Sequence, residues 1–423
     1  MQAESRSSPV PHLDLLLRAG RLGSGAPVDI GIREGKIVSI GSEQSGSAAH
    51  ELRLDGRVVL PAFVEAHTHL DKSRTFALAL NQSGTLREAI DRMHEIQATD
   101  TVDTIYQRAA ATARQFLAHG TTTIRTHVDV NQFTGLRGVE ALLRLRADLG
   151  SAPRLQLVAL THPLSGESGS ANLALVEEAL RMGVDAVGGA PALTDDPRAE
   201  IDQIFALALR AGKPIDLHVD ESDTPADFCL PYLAAKTIAE CCQGKVIAGH
   251  CCSLSAVDDD AAARAIDLVR EAGIGVVTLP SANMYLQGRS DQGCVRRGLT
   301  RVRQLMAAGV LVACGSDNIR DPFNPFGRAD PLLVANLLAH AAHMGSPSEQ
   351  ARAIEAITTT PARMLGLPEA RIAPGQQADL VVLDTDDWGG ALAAVPPRRF
   401  VIAGGALAAE TRTSTWVHSP VAG

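Results

Sequence analysis

The sequence predicts an α/β protein: a (β/α)8 barrel with a small β-sandwich built from both ends of the chain. Three observations predict it. Eight short apolar runs alternate with helical stretches over about 250 residues, the size usual for a closed eight-unit barrel. The segments before and after that region read as short strands joined by turns. No G-x-G-x-x-G follows an early strand, so an open dinucleotide-binding sheet lacks its phosphate signature.

The elements follow in order. Leu13–Arg18, Val28–Arg33 and Lys36–Gly41 are the first short strands. The barrel runs are 58–64, 121–130, 155–160, 185–188, 215–219, 245–248, 275–279 and 310–314. Residues 171–182, 200–211 and 258–272 carry helical periodicity between them. Unbroken apolar strands of this length alternating with helices imply a parallel sheet covered on both faces. Residues 374–384 and 399–404 return to the strand pattern and are expected to pair with the first strands. The expected division is 1–57 and 371–423 for the sandwich, with 58–370 as an inserted barrel.

Composition narrows the function. Of 423 residues, 45% are apolar and 21% charged, as in ordinary globular proteins. A formal charge of −9 and an aromatic content of 3% argue against a nucleic-acid partner or an anionic membrane. No apolar run reaches the roughly 18 residues that span a bilayer. Met1–Pro11 is polar and has no apolar signal segment, so a cytoplasmic protein is expected. Seven dispersed cysteines lack paired zinc spacing and read as reduced, mostly buried thiols. Cys251 and Cys252 follow a candidate site histidine, which leaves a part in lining the pocket open.

Chemistry-bearing residues gather at strand ends. His67 and His69 are two apart on an extended segment, so both imidazoles project to one side and can reach one metal. Spacing alone would also suit two hydrogen-bonded core histidines. The barrel supplies the weight, because the C-terminal strand ends hold the chemistry in this architecture. His218 ends the fifth strand, His250 the sixth and Asp317 the eighth. Four strand ends bearing His, His, His and Asp favour a metal site over scattered histidines.

These residues carry a resemblance. The chain resembles the amidohydrolase superfamily of TIM barrels, within it the cytosine deaminase-like branch, and is similar also to N-isopropylammelide amidohydrolases and pterin deaminases. The shared stretches are Glu65–Asp71, Asn81–Leu86, Arg125–Val130, His218–Glu221, Leu286–Arg289, Arg296–Val302, Asp317–Gly327 and Pro374–Leu380. The resemblance implies a single divalent metal (zinc, iron or manganese) bound by His67, His69, His218 and Asp317. Two-metal members place a carboxylated lysine after the fourth strand, whereas here no lysine occurs between Lys72 and Lys213. It also implies metal-bound hydroxide as the nucleophile, with Glu221 as proton shuttle from the H-x-x-E pattern and His250 and Asp317 orienting the attack. The implied reaction is hydrolysis of the exocyclic C–N bond of a small heterocycle: cytosine, isoguanine, a pterin or an aminotriazine.

Three further positions are candidate substrate contacts. Gln82 lies in a loop that the resemblance puts near the barrel mouth. Phe323 can cover the ring face or serve as a core aromatic. His162 stands where cytosine deaminases carry a glutamine; it offers one donor and one acceptor on different edges, which argues against cytosine itself. Lys72, His127, Asp129, Asn283 and Gln287 can shape the pocket or make structural hydrogen bonds, and Arg289, Arg296 and Arg297 suit a solvated or interface role. Two other functions stay open: cyclic-amide hydrolysis of the dihydroorotase or hydantoinase type, and a non-catalytic metal-binding protein. An assembly of identical chains is compatible with everything in the sequence.

Overall fold

The computed structural model describes residues 12–42 and 47–418, so the reading of Met1–Pro11 lies outside the described residues. The chain forms two compact units. One comprises the described parts of Met1–Ala62 and Arg371–Gly423 with Leu117–Gly120; the other comprises Phe63–Phe116 and Thr121–Ala370.

In the first unit, β1 (Leu13–Gly20), β2 (Val28–Arg33), β3 (Lys36–Gly41) and β4 (Ala48–Arg53) form a sheet ordered β3-β2-β1-β4. Glu34 and Gly35 make the tight β2–β3 turn at φ 50° and 74°. Two successive positive φ values match the right-handed strand twist, and glycine takes the second without steric cost. The apolar run at 58–64 does not form one strand. It divides into β5 (Val59–Pro61), in a second sheet of this unit, and the first barrel strand, β6 (Phe63–Thr68). The division follows Pro61, which has no N–H with which to extend a ladder.

The second unit is the barrel. Strands β6, β7 (Thr121–Val130), β8 (Arg154–Thr161), β9 (Ala186–Gly189), β10 (Ile215–Val219), β11 (Val246–His250), β12 (Gly275–Thr278) and β13 (Val312–Cys314) pair in chain order, all parallel. A bridge between Thr68 and Asp317 joins the first strand to the end of the last. Between strands lie α1 (Leu86–Thr99), α2 (Val102–Ala118), α3 (Arg137–Leu149), α4 (Gly169–Met182), α5 (Pro197–Ala211), α6 (Leu230–Ala239), α7 (Asp259–Glu271), α8 (Pro280–Leu286) and α9 (Val302–Ala307). The periodic stretches at 171–182, 200–211 and 258–272 thus fall in α4, α5 and α7. Local chemistry fixes their ends. Asp196 caps α5 by accepting from the N–H groups of Arg198 and Ala199, with Pro197 in the first turn and Gly212 leaving at φ 64°.

The first unit closes with β14 (Leu380–Leu383), β15 (Arg398–Ala403) and β16 (Ala406–Glu410), ordered β16-β15-β14-β5. Alternate residues of both four-stranded sheets, among them Leu15, Leu17, Ile30, Ile32, Leu380, Val382, Phe400 and Ile402, form one buried cluster. That period of two is the signature of strands with one face on a core. Both termini therefore contribute to one sandwich, as expected. Among the described residues no helix is long and apolar enough to cross a membrane.

Candidate active site at the strand ends

His67 is on β6 and His69 follows its end. His67 N–H donates to Glu65 Oε1 at 3.0 Å, and the same carboxylate accepts from Ser316 N at 2.9 Å and Ser316 Oγ at 2.5 Å. Burial pushes the Glu65 carboxyl up to about 7, against those hydrogen bonds. Asp317 N–H donates to His67 O at 2.9 Å, and Thr68 Oγ1 donates to Asp317 O at 2.7 Å. The first and last barrel strands are thus stitched where their side chains must converge. Asp220, His250 and Asp317 all adopt positive φ, of 50°, 65° and 58°. Non-glycine residues in that region are strained and cluster at functional sites.

The side chains converge. His69 Nε2 lies 3.2 Å from His218 Nε2 and 3.3 Å from Asp317 Oδ1, and His67 Nε2 lies 3.6 Å from Asp317 Oδ1. His67, His218, His250 and Asp317 each offer a donor atom, all within 4.8 Å of one another. His250 reaches the same point, while His69 is outside this set and touches it through His218 and Asp317. His67 Nε2, His250 Nε2 and both Asp317 carboxylate oxygens are buried without a hydrogen-bond partner. Buried polar atoms are nearly always satisfied, so orphans of both kinds around one point fit a cation. Burial and the neighbouring imidazoles hold His67 and His218 well below the usual histidine range, which keeps them neutral, the form that ligates metals.

A second group, His67, His127 and Asp216, is equally close-packed. The His127 and His67 ring centroids are 4.0 Å apart. Here, however, the Arg125 guanidinium sits 2.9 Å from Asp216 and already neutralises it. His127 is a packed neighbour of the donor ring on β7.

Glu221 lies one residue beyond Asp220, whose carboxylate accepts from Cys229 N at 3.0 Å and Leu230 N at 3.1 Å. Those bonds hold the turn and aim Glu221 at the ring. Its Oε1 is 3.6 Å from His250 Nδ1. Burial, reinforced by Asp317 and opposed by Lys72, raises the Glu221 carboxyl well above its ordinary range. Asn283, on α8, donates through Nδ2 to His250 Nδ1 at 2.9 Å, and Gln287, just after the helix, donates through Nε2 to Glu221 O at 3.4 Å.

A cavity of about 470 Å³ opens over these groups. His69, His218, Glu221 and Asp317 form its floor; Leu86, Ile90, Met93, Leu160 and Phe323 form much of its wall, with Lys72, His94, Asp129 and His162. Phe323 fills both of its expected roles: it packs with Ala89, Met93, Ile96 and Leu286, and it borders the cavity. Gln82 is different. It is exposed and absent from the lining, because its loop folds onto the start of α1, where Glu88 accepts from Gln82 N at 3.0 Å and Ser83 N at 2.7 Å. Cys251 and Cys252 are buried free thiols that also stand outside the lining. Arg289 donates to Tyr285 O, Arg296 pairs with Asp223 and Asp291, and Arg297 donates to Ala341 O. The pairings of Ser316 with Glu65, and of Gln97 and His162 with Asn131, join residues remote in sequence and leave no local spacing to find.

The profile of the Amidohydrolase family matches residues 78–418. The chain is 36% identical over 366 residues to a pterin deaminase of Rhizobium rhizogenes, covering 85% of this chain and 83% of that protein. It is 30% identical over 386 residues to the N-isopropylammelide isopropyl amidohydrolase of a Pseudomonas species, covering 88% and 91%. Its fold superposes on a crystal structure of 5-methylcytosine deaminase from Klebsiella pneumoniae with a TM-score of 0.89 at 29% identity, covering 95% and 99% of the two chains. A barrel with His and Asp donors at its strand ends, matched over most of its length by these proteins, belongs to the amidohydrolase family, the hydrolases of carbon–nitrogen bonds.

Proposed function

We propose that this chain hydrolyses the exocyclic C–N bond of an aminated nitrogen heterocycle, with His67, His69, His218 and Asp317 holding one divalent ion. Mixed nitrogen and oxygen donors suit zinc, iron or manganese. Bound there, such an ion supplies Lewis-acid activation of water near neutral pH. The chain's own residues supply the rest. Glu221 takes the water proton and delivers it to the ring nitrogen next to the amino-bearing carbon. The water oxygen bonds to that carbon, which becomes tetrahedral. The new hydroxyl then passes its proton through Glu221 to the exocyclic nitrogen, the C–N bond breaks as a ring carbonyl forms, and ammonia or an amine leaves. A carboxyl with a raised pKa is matched to both transfers. His250, oriented by Asn283, and Asp317 hold the attacking oxygen in line.

The observation that carries this reading is Glu221 Oε1, 3.6 Å from His250 Nδ1 and beside the donor ring, on the floor of a largely apolar cavity. A volume of about 470 Å³ is within the range of small-molecule sites. The 36% identity to a pterin deaminase favours a two-ring or substituted substrate over bare cytosine. Cyclic-amide hydrolysis is disfavoured because β9 ends in Gly188 and Gly189, and a side chain at 188 would meet Asp216 O at 2.8 Å. A cytoplasmic setting belongs to the same proposal, since all seven cysteines are free thiols and five are buried.

The test is ammonia release by the metal-loaded protein against pterin, isoguanine, cytosine and aminotriazines. Ammonia formed one for one with substrate lost is the expected result. Ring opening without ammonia would favour the cyclic-amide reaction, and silence across the panel would refute deamination.

A further inference from the structure

The cavity wall carries a buried polar chain that the proposed proton transfers do not use. Lys72 Nζ lies 2.9 Å from Asp129 Oδ1. Gln97 Nε2 donates to Asp129 Oδ2 at 2.5 Å, and Gln97 Oε1 accepts from Asn131 Nδ2 at 3.2 Å. Asn131 Oδ1 accepts from Phe133 N at 2.8 Å and Thr134 N at 3.0 Å. Asn131 Nδ2 also reaches His162 Nε2, at 3.0 Å.

Each link has only one possible direction. A backbone N–H can only donate, so the end of Asn131 that meets Phe133 and Thr134 is its oxygen. The other end is then NH2, which has no lone pair to offer. Asn131 is therefore the donor in its bond to His162, and Nε2 is bare. Burial holds the His162 imidazole down to about 4, so near neutral pH the ring carries a single proton. With Nε2 bare, that proton is on Nδ1. Among the described residues the only hydrogen bond of the His162 ring is the one at Nε2, which leaves Nδ1 without a protein partner, and His162 borders the cavity.

We propose that Asn131 is a positioning residue that locks His162 as its Nδ1–H tautomer, making it a hydrogen-bond donor that selects heterocycles presenting an acceptor on the facing edge. The inference rests on the deaminase reading for the nature of the ligand. It names the substrate class more narrowly: a ring carbonyl oxygen or an unprotonated ring nitrogen must stand opposite His162, and an amino group there is rejected. A glutamine at 162 would offer both a donor and an acceptor, and would not discriminate in this way. Sites built around a fixed hydrogen bond discriminate strongly, because the wrong partner leaves a buried polar group unpaired.

Two measurements test this. The first is long-range proton–nitrogen correlation spectroscopy of the full-length, zinc-loaded chain, with His162 assigned by loss of its signals in His162→Gln. The expected spectrum has the proton on Nδ1 and a bare Nε2; a protonated Nε2 would overturn the proposal. Asn131→Asp keeps an oxygen for the two turn N–H groups and turns a second oxygen toward the ring. Nε2 should then become protonated, and a bare Nε2 in that variant would also overturn it. The second is calorimetric binding of pterin and of its diamino analogue, in which an amino group replaces the ring carbonyl, to the metal-bound Glu221→Gln variant, which does not consume them. Pterin should bind at least about tenfold more tightly than the analogue, with the preference falling below about threefold when His162→Phe is added. Equal or absent binding would overturn the selectivity. Neither measurement requires turnover. Selective binding without ammonia release by the wild type would sink the deaminase reading and leave the donor role of His162 standing.

Discussion

The floor and the wall of the cavity are built on opposite principles. At and beneath the floor, Asp317, His67 and His250 present buried polar atoms with no partner, and Asp220, His250 and Asp317 are held in strained backbone. In the wall and behind it, Lys72 and Asp129, then Gln97 and Asn131, bond one another in a chain. Orphaned donors call for something from outside the chain; paired donors hold one another still. On the proposed reading the floor serves the chemistry and the wall selects the substrate. Changes on the floor should therefore cost rate, and changes on the wall should cost affinity or stability.

The largest effect is expected at Glu221. Glu221→Gln should lower kcat by about 10³-fold, within the range for loss of a general acid–base group. Metal content should stay unchanged by elemental analysis, and wild-type-like turnover would erase the distinction between floor and wall.

Phe323→Ala should act on the other side of the comparison. Removing a ring packed against Ala89, Met93, Ile96 and Leu286 should cost about 3 kcal/mol of stability. Denaturant melts would register that loss, and KM should rise more than kcat falls. A fall in kcat alone would move Phe323 to the floor.

Acid should weaken the fold through its neutral histidines. Burial holds His127 well below the usual range, and His162 at about 4. Both pKa values are depressed relative to the unfolded chain, so the unfolded state binds more protons once pH drops below about 6.5. Stability is therefore fully present above that pH and is lost as pH falls toward the folded values. Each histidine should contribute up to about 1.4 kcal/mol per pH unit in that window. The buried carboxyls of Glu65 and Glu221 act with the opposite sign, so the slope of urea midpoints between pH 7 and 5 is compared between the wild type and His162→Gln; the variant should lose less stability on acidification, and equal slopes would show that this ring is not held neutral.

The smallest effect is expected at Gln82. It is exposed and outside the cavity lining, so Gln82→Ala should change kcat/KM by no more than about twofold. A larger loss would mean that its loop reaches the substrate after all.

The difference in organisation also explains what was legible in the sequence. His67 and His69 could be found because two residues on a strand share a side, and His218, His250 and Asp317 because each closes an apolar run that marks a strand. The same periodicities located the barrel strands and the helices α4, α5 and α7. The wall gives no such signal. Gln97 comes from α1, Asn131 follows β7 and His162 follows β8, so they meet only after the barrel has closed. The resemblance points to position 162, whereas Asn131, proposed to set its tautomer, carries no mark in the sequence. The run at 58–64 misled for a related reason: apolar content marks a strand but does not say which sheet it joins, and the change of sheet after Pro61 depends on pairing with β14, more than three hundred residues later. β4 escaped notice because its residues are largely exposed and show no apolar period.

On the proposed reading the floor is a single-ion hydrolytic centre. Titrating metal-stripped protein with zinc while following deamination and bound metal tests it most directly. Activity should rise in proportion to metal and reach its plateau at about one ion per chain, as for a single four-ligand site. Full activity in the stripped protein, or a plateau only at two ions per chain, would contradict it.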